Sequence, residues 1–106
     1  GMKNFDFFGA PHVAIVTTEE DLGVYGVLDC GAFISVFMLV ARSLGVASIA
    51  QAAIAGYSPA LRRHFQLPPN RQIVCSISFG YEDPAHSANQ FRTRRAGTDD
   101  VIKYYR

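Results

Sequence analysis

The chain has no tryptophan and only two cysteines in 106 residues. Cys30 and Cys75 belong to no CxxC and to no Cys/His ligand spacing, so the sequence carries no recognisable metal site of that kind. Both lie in apolar runs, Asp-Cys-Gly-Ala-Phe-Ile and Ile-Val-Cys-Ser-Ile, where free cysteine behaves as a small buried hydrophobe. Charge is also scarce, at 18% of residues with a formal net charge of +1. That excludes the strongly basic face that DNA or an anionic membrane demands, and any cationic function has to be local. His12, His64 and His86 form no spacing for a metal or a triad, and no serine or cysteine sits in a nucleophile elbow. Each histidine reads as structural or solvated. No signal peptide is expected, Gly1 before Met2 looks like an expression scar, and a cytoplasmic location is the default expectation. The chain shows no internal repeat and no low-complexity tract.

What the chain does have is apolar content, 49% of residues. That suffices for one modest core and one domain, residues 1–106, of which 85–106 read as a C-terminal arm. The longest apolar run is Ala32 to Ala41, interrupted only by Ser35 and bracketed by Asp29 and Arg42. It is shorter than the ~20 residues a bilayer span takes, so no membrane partner is expected. A helix apolar on nearly every side has to be buried on nearly every side. Little else in so short a chain can cover it, which points to a homodimer or to a partner chain.

The predicted order is strand, helix, strand, helix, strand, an α+β (α/β layered) arrangement with a hydrophobic helix packed on a small mixed sheet. His12 to Thr18 is β-branched and reads as a buried strand with parallel neighbours. Gly23 to Leu44 is the long helix, closed by Gly45 in the left-handed conformation, and Val46 to Gln51 is the second strand. Ser58 as N-cap and Pro59 at the first helical position start a short helix that Pro68-Pro69-Asn70 ends. Gln72 to Phe79 is the third strand, with turn residues from Gly80 to Pro84 behind it. Residues 85–97 hold one large apolar residue, Phe91, and read as an extended arm. Thr98-Asp99-Asp100 would cap a last short helix through Tyr105.

Two groups of residues are candidates for chemistry. The long helix stops at a glycine and runs into a strand ending in Ala50, Gln51, Ala52 and Ala53, where little side-chain bulk keeps a flat ligand from the backbone N–H and C=O groups. Arg92 and Arg94, two apart in an extended segment, point to the same side and can converge on one phosphate. Against each stands an ordinary alternative: a small-residue strand end, and a solvated basic tail. Asp29 within the apolar helix has to find a partner or take up a proton, and a helix-start or subunit-contact role suits it better than catalysis. Tyr25 and Phe37 could line a ring pocket, although aromatics on a buried helix usually belong to the core.

These segments, with Phe8-Gly9-Ala10-Pro11-His12 upstream and Phe91-Arg92-Thr93-Arg94-Arg95 downstream, resemble the nitroreductase family of FMN-dependent oxidoreductases from about Phe7 to the C-terminus. Members are usually about twice this length, and the chain looks like their C-terminal half, without the N-terminal half that brings an Arg-Ser-x-Arg phosphate motif. The resemblance implies a nitroreductase-like fold and FMN at a dimer interface. It also implies two-electron transfer from NADH or NADPH to nitroaromatic or quinone-like acceptors. On that resemblance Ala50, Gln51, Ala52 and Ala53 face the isoalloxazine ring through their backbone, with Ala50 in the place of a frequent proline. Arg92 and Arg94 take the place of the basic pair on the FMN phosphate, with Arg95 as a neighbour. The flavin carries the chemistry, so no side-chain acid or base and no metal is expected. Two other readings differ in class: a non-catalytic oligomerisation or interaction module without flavin, and, ranked last, nucleic-acid binding by the tail from Arg92 to Arg106, diluted by Asp99 and Asp100.

Overall fold

Strand β1 (His12–Glu19), strand β2 (Ala47–Gln51) and strand β3 (Arg71–Gly80) form one sheet in the order β1-β3-β2 in the computed structural model, which describes residues 2–106. Both ladders are antiparallel. β1 pairs with β3 from His12↔Phe79 to Glu19↔Arg71, and β2 pairs with β3 from Ala47↔Gly80 to Gln51↔Ser76. The expected parallel neighbours are therefore corrected. β1 and β2 do run in the same direction, joined by a helical crossover, but β3 lies between them and pairs antiparallel with each. The register shifts between Val16 and Thr17, which pair with Cys75 and Ile73, so Val74 is an extra residue that bulges β3. Beside that bulge the Thr17 carbonyl accepts from Arg71 Nη2 at 3.4 Å and from Cys30 Sγ at 3.9 Å.

The crossover is helix α1 (Gly23–Ser43). Gly45, at φ 76°, ends it as expected. Val46 N donates to Ala41 O at 2.9 Å and Gly45 N to Arg42 O at 3.0 Å, the paired bonds that satisfy a helix's last carbonyls. Gly26, Cys30, Phe33 and Phe37 recur at helical spacing and face the sheet, where the Phe37 ring meets Phe79 edge-on at 5.4 Å. Both cysteines are buried, which agrees with their apolar surroundings in sequence. At ~1.5 Å per residue the helix is roughly 31 Å long. By length and composition it could cross a membrane, so the apolar run is not too short once the whole helix is counted. The stripe packed on the sheet is what a core helix of the same composition would also show.

A 3-10 helix, Ala52–Tyr57, whose Ile54 is 3% exposed, packs against β3, and an N-terminal 3-10 segment packs in turn on that helix, the Phe5 ring meeting Tyr57 at 4.4 Å. Phe7, Phe8 and Gly9 then turn the chain through three left-handed conformations. Helix α2 (Ser58–Phe65) follows the 3-10 helix without a break. Ser58 is already helical, Tyr57 takes the cap position with no side-chain cap, and the Ser58 hydroxyl instead accepts from Arg62 Nε at 2.9 Å. The expected serine N-cap is thus displaced, because no extended residue separates the two helices. Beyond Gly80 the chain leaves the sheet as an exposed arm with a 3-10 turn at Ser87–Asn89. A single helical turn, α3 (Thr98–Val101), ends earlier than expected, with Gly97 N donating to Asp100 Oδ2 at 3.2 Å.

Candidate functional site

The corner where β2 passes into the 3-10 helix is pinned from beneath and open above. Gln51 is 3% exposed and Ile54 is held at the same depth, whereas Ala50, Ala52 and Ala53 between and before them are exposed. The pin is polar as well as apolar. Ser78, on the central strand, donates from its hydroxyl to Gln51 Oε1, and the Ser76 hydroxyl donates to the Gln51 backbone carbonyl at 3.5 Å. Strand alternation puts Ser76 and Ser78 on the face opposite Cys75, Ile77 and Phe79, which turn toward α1. The four residues expected as a ledge are therefore contiguous. Three of them end at Cβ and are exposed, so little side-chain bulk stands over this stretch of backbone.

Arg92 lies at the other end of β2. It lines a groove of about 630 Å³ with Ser35, Met38, Arg42, Ser48 and Glu82, between the C-terminal half of α1 and the start of the strand. From Ala47 to Gln51 the ladder spans roughly 13 Å at about 3.3 Å per residue. The Arg92 guanidinium is 3.8 Å from Glu82 Oε1, and its Nη1 donates to the carbonyls of Asn89 at 3.2 Å and Phe91 at 3.0 Å. Arg94 is exposed and has no side-chain partner among the described residues. Arg95 donates to Thr93 Oγ1 at 2.6 Å. The two arginines expected to act as a pair thus share no partner here, although both are open to an anion.

A second groove, about 550 Å³, runs between β1 and α1 past Thr17, Asp29, Cys30, Phe33 and Phe37. Asp29 is exposed on its wall. Tyr25 is exposed on the bare side of the helix, while Phe37 is half-buried against Phe79. His12 stacks on Phe79 at 5.4 Å, His64 meets Phe65 edge-on, and His86 Nδ1 accepts from Ala88 N at 3.1 Å. Each has a structural contact, and no cluster of metal-ligating side chains occurs among the described residues.

Ser76 and Ser78 went unnoticed in the sequence, where they sit in Gln-Ile-Val-Cys-Ser-Ile-Ser-Phe. The signal was available. Two serines at i and i+2 in an otherwise apolar strand put two hydroxyls on one face, and buried hydroxyls need partners.

A family model described as the nitroreductase family matches residues 1–81. The chain is 40% identical over 102 residues to a 4-nitrobenzoate reductase of Nocardioides sp. (strain LMS-CY), covering 96% of this chain and 41% of that protein. It is 38% identical over 92 residues to a 4-nitrobenzoate reductase of Pseudomonas putida, covering 87% and 40%. Among solved structures, the FMN-dependent nitroreductase NfnB from Mycobacterium smegmatis, in complex with NADPH, superposes with a TM-score of 0.91 at 31% identity, over 98% of this chain and 46% of that one. The chain spans less than half the length of the curated relatives it matches.

Proposed function

The chain belongs to the nitroreductase family, and from that premise we propose that it is the flavin-bearing part of an FMN-dependent NAD(P)H oxidoreductase that reduces nitroaromatic or quinone-like acceptors. The observation that carries the reading is the corner where Ala50, Ala52 and Ala53 are exposed and free of bulk, while Gln51 and Ile54 beside them are buried and hold it from beneath. FMN, when bound, supplies the two-electron chemistry between the nicotinamide donor and the acceptor. The chain's own residues bind and orient. The backbone of Ala50 to Ala53 seats the ring, and a fixed main-chain donor near a reduced ring favours the charge that reduction brings. Arg92 and Arg94 attract the phosphate, Arg92 by exchanging Glu82 and two carbonyls for a stronger charge-assisted partner. No side chain is assigned a proton. The names of the two reductases acting on 4-nitrobenzoate make a nitrated aromatic acid the first acceptor to try.

Dimerisation belongs to the same reading. Val24, Tyr25, Leu28, Val36 and Leu39 are all at least 60% exposed on α1, and a second copy or the remainder of a longer chain would cover them. The test is a titration of the purified protein with FMN, followed by flavin fluorescence quenching and visible absorption, with mass by light scattering. Saturable binding by a dimer, with acceptor-dependent oxidation of NADH or NADPH, is expected. A folded oligomer that leaves FMN fluorescence unchanged would sink the reading in favour of a non-catalytic interaction module.

A further inference from the structure

We propose that Ser76 and Ser78 are positioning residues, whose hydroxyls fix the backbone at Gln51–Ala53 in the orientation that presents the ledge. The consequence for flavin rests on the reading above, while the positioning itself does not. Among the described residues, the buried polar ones apart from Thr18 are Gln51, Ser76 and Ser78, and these three form one connected group. Serine is a poor strand residue beside the Val and Ile around it, and a buried hydroxyl without a partner is unfavourable. Both hydroxyls find their partner on the same residue, at two different points. Ser76 is the direct cross-strand neighbour of Gln51 and donates to its backbone carbonyl. Ser78 is the neighbour of Ile49, so its bond to the Gln51 side chain is diagonal, within reach only of a long side chain laid back along its own strand.

Gln51 is held by main chain and side chain together at the last residue before the chain turns from extended (φ −130°, ψ 101°) into the 3-10 helix. The Ser76 hydroxyl bonds the carbonyl of the Gln51–Ala52 peptide itself, which sets the direction of the turn. The Ser78 hydroxyl holds the Gln51 side chain on the same face, which anchors the residue the turn starts from. An apolar pair at 76 and 78 would pack as well but would not orient the peptide, which accounts for serine at both positions.

The experiment is 15N relaxation of the uniformly labelled protein, wild type against Ser78→Ala, Ser76→Ala and Ser78→Thr, with FMN titrations beside it. In wild type the N–H order parameters of Ala52 and Ala53 should match a rigid backbone, near about 0.85, and in Ser78→Ala they should fall toward about 0.6. Those of α1 and β1 should stay unchanged, and Ser78→Thr, which keeps a hydroxyl, should restore the wild-type values. Ser76→Ala tests the second bond with the same expectation, and serves alone if Ser78→Ala does not fold. Unchanged order parameters at Ala52 and Ala53, or an equal fall across the whole sheet, would overturn the proposal. In the titration a selective loosening should weaken FMN binding by about tenfold. Loosening with undiminished binding would overturn the link to the cofactor, whereas a wild type that binds no FMN would defeat the functional reading and leave relaxation to decide the positioning role.

Discussion

A β-carbon built on Gly26 would stand 2.6 Å from Thr18 Oγ1 and 2.8 Å from Leu22 Cβ, so α1 meets the edge strand β1 at a point that only a hydrogen can occupy. Gly26 is buried, and Thr18 is the most deeply buried residue of β1. The long helix sits down on the sheet there. Gly26→Ala adds helix propensity worth about 1 kcal/mol but forces a backbone or threonine shift of the kind that typically costs 1–3 kcal/mol, roughly. We expect a net loss of about 1 kcal/mol, seen as a lower urea midpoint with an unchanged slope, and partial recovery in the double variant with Thr18→Ala. A Gly26→Ala protein more stable than wild type would show that the helix does not rest on this point.

Tyr25, Leu28, Val36 and Leu39 are the second place where the helix determines behaviour, this time by what it leaves bare. An apolar face of this extent on an isolated chain marks a site of association. Val36→Glu places a charge at a position that is 60% exposed within the chain. It should lower the mass seen in light scattering to that of a monomer and, where association supplies burial, lower the urea midpoint with it. A variant of undiminished mass would mean that the chain associates through another surface.

Strand and helix positions were legible in the sequence because they are local. The β-branched run at His12–Thr18, the apolar helix and Gly45 behind it all announce themselves within a few residues. Pairing was not legible, because it depends on where β3 inserts. A strand, a helix and a strand suggest parallel neighbours until a strand twenty residues further on slides between them. The ledge at Ala50 to Ala53 was visible as a lack of bulk. Its support was not, because Ser76 and Ser78 acquire meaning only when the ladder brings them beside Gln51. Ser58 misled for the opposite reason, since its local signal for a cap is overridden by a helix that arrives without an extended residue.

Arg92 is held by Glu82 at 3.8 Å with a side chain 72% exposed, and that pair sets a competition with any phosphate. An exposed ion pair contributes at most about 1 kcal/mol, so Glu82→Gln should tighten FMN binding by no more than about fivefold. Arg92→Ala with Arg94→Ala should weaken it by about a hundredfold, the upper end of what two solvent-facing charge-assisted contacts support. Titrations at low and high salt separate the two effects, because both should shrink as ionic strength rises. An affinity indifferent to the double substitution would remove the arginines from the phosphate site.

Ile77 is fully buried at the centre of β3, paired on one side with Ala14 and on the other with Ala50. Its truncation to alanine leaves a cavity flanked by alanines that cannot fill it, and such changes cost about 2–5 kcal/mol. Among the described residues the buried apolar ones are few, Cys30, Ile54, Ile73, Cys75 and Ile77, so that loss is large beside the stability a domain of this size can hold. If association through α1 supplies the missing burial, stability follows protein concentration. For a dimer each tenfold dilution removes about 1.4 kcal/mol. Ile77→Ala should then be folded at high concentration and unfold on dilution, with wild type showing the same slope from a higher starting point. A urea midpoint independent of concentration in both proteins would mean that the sheet and helix stand alone, and the bare face of α1 would have no part in folding.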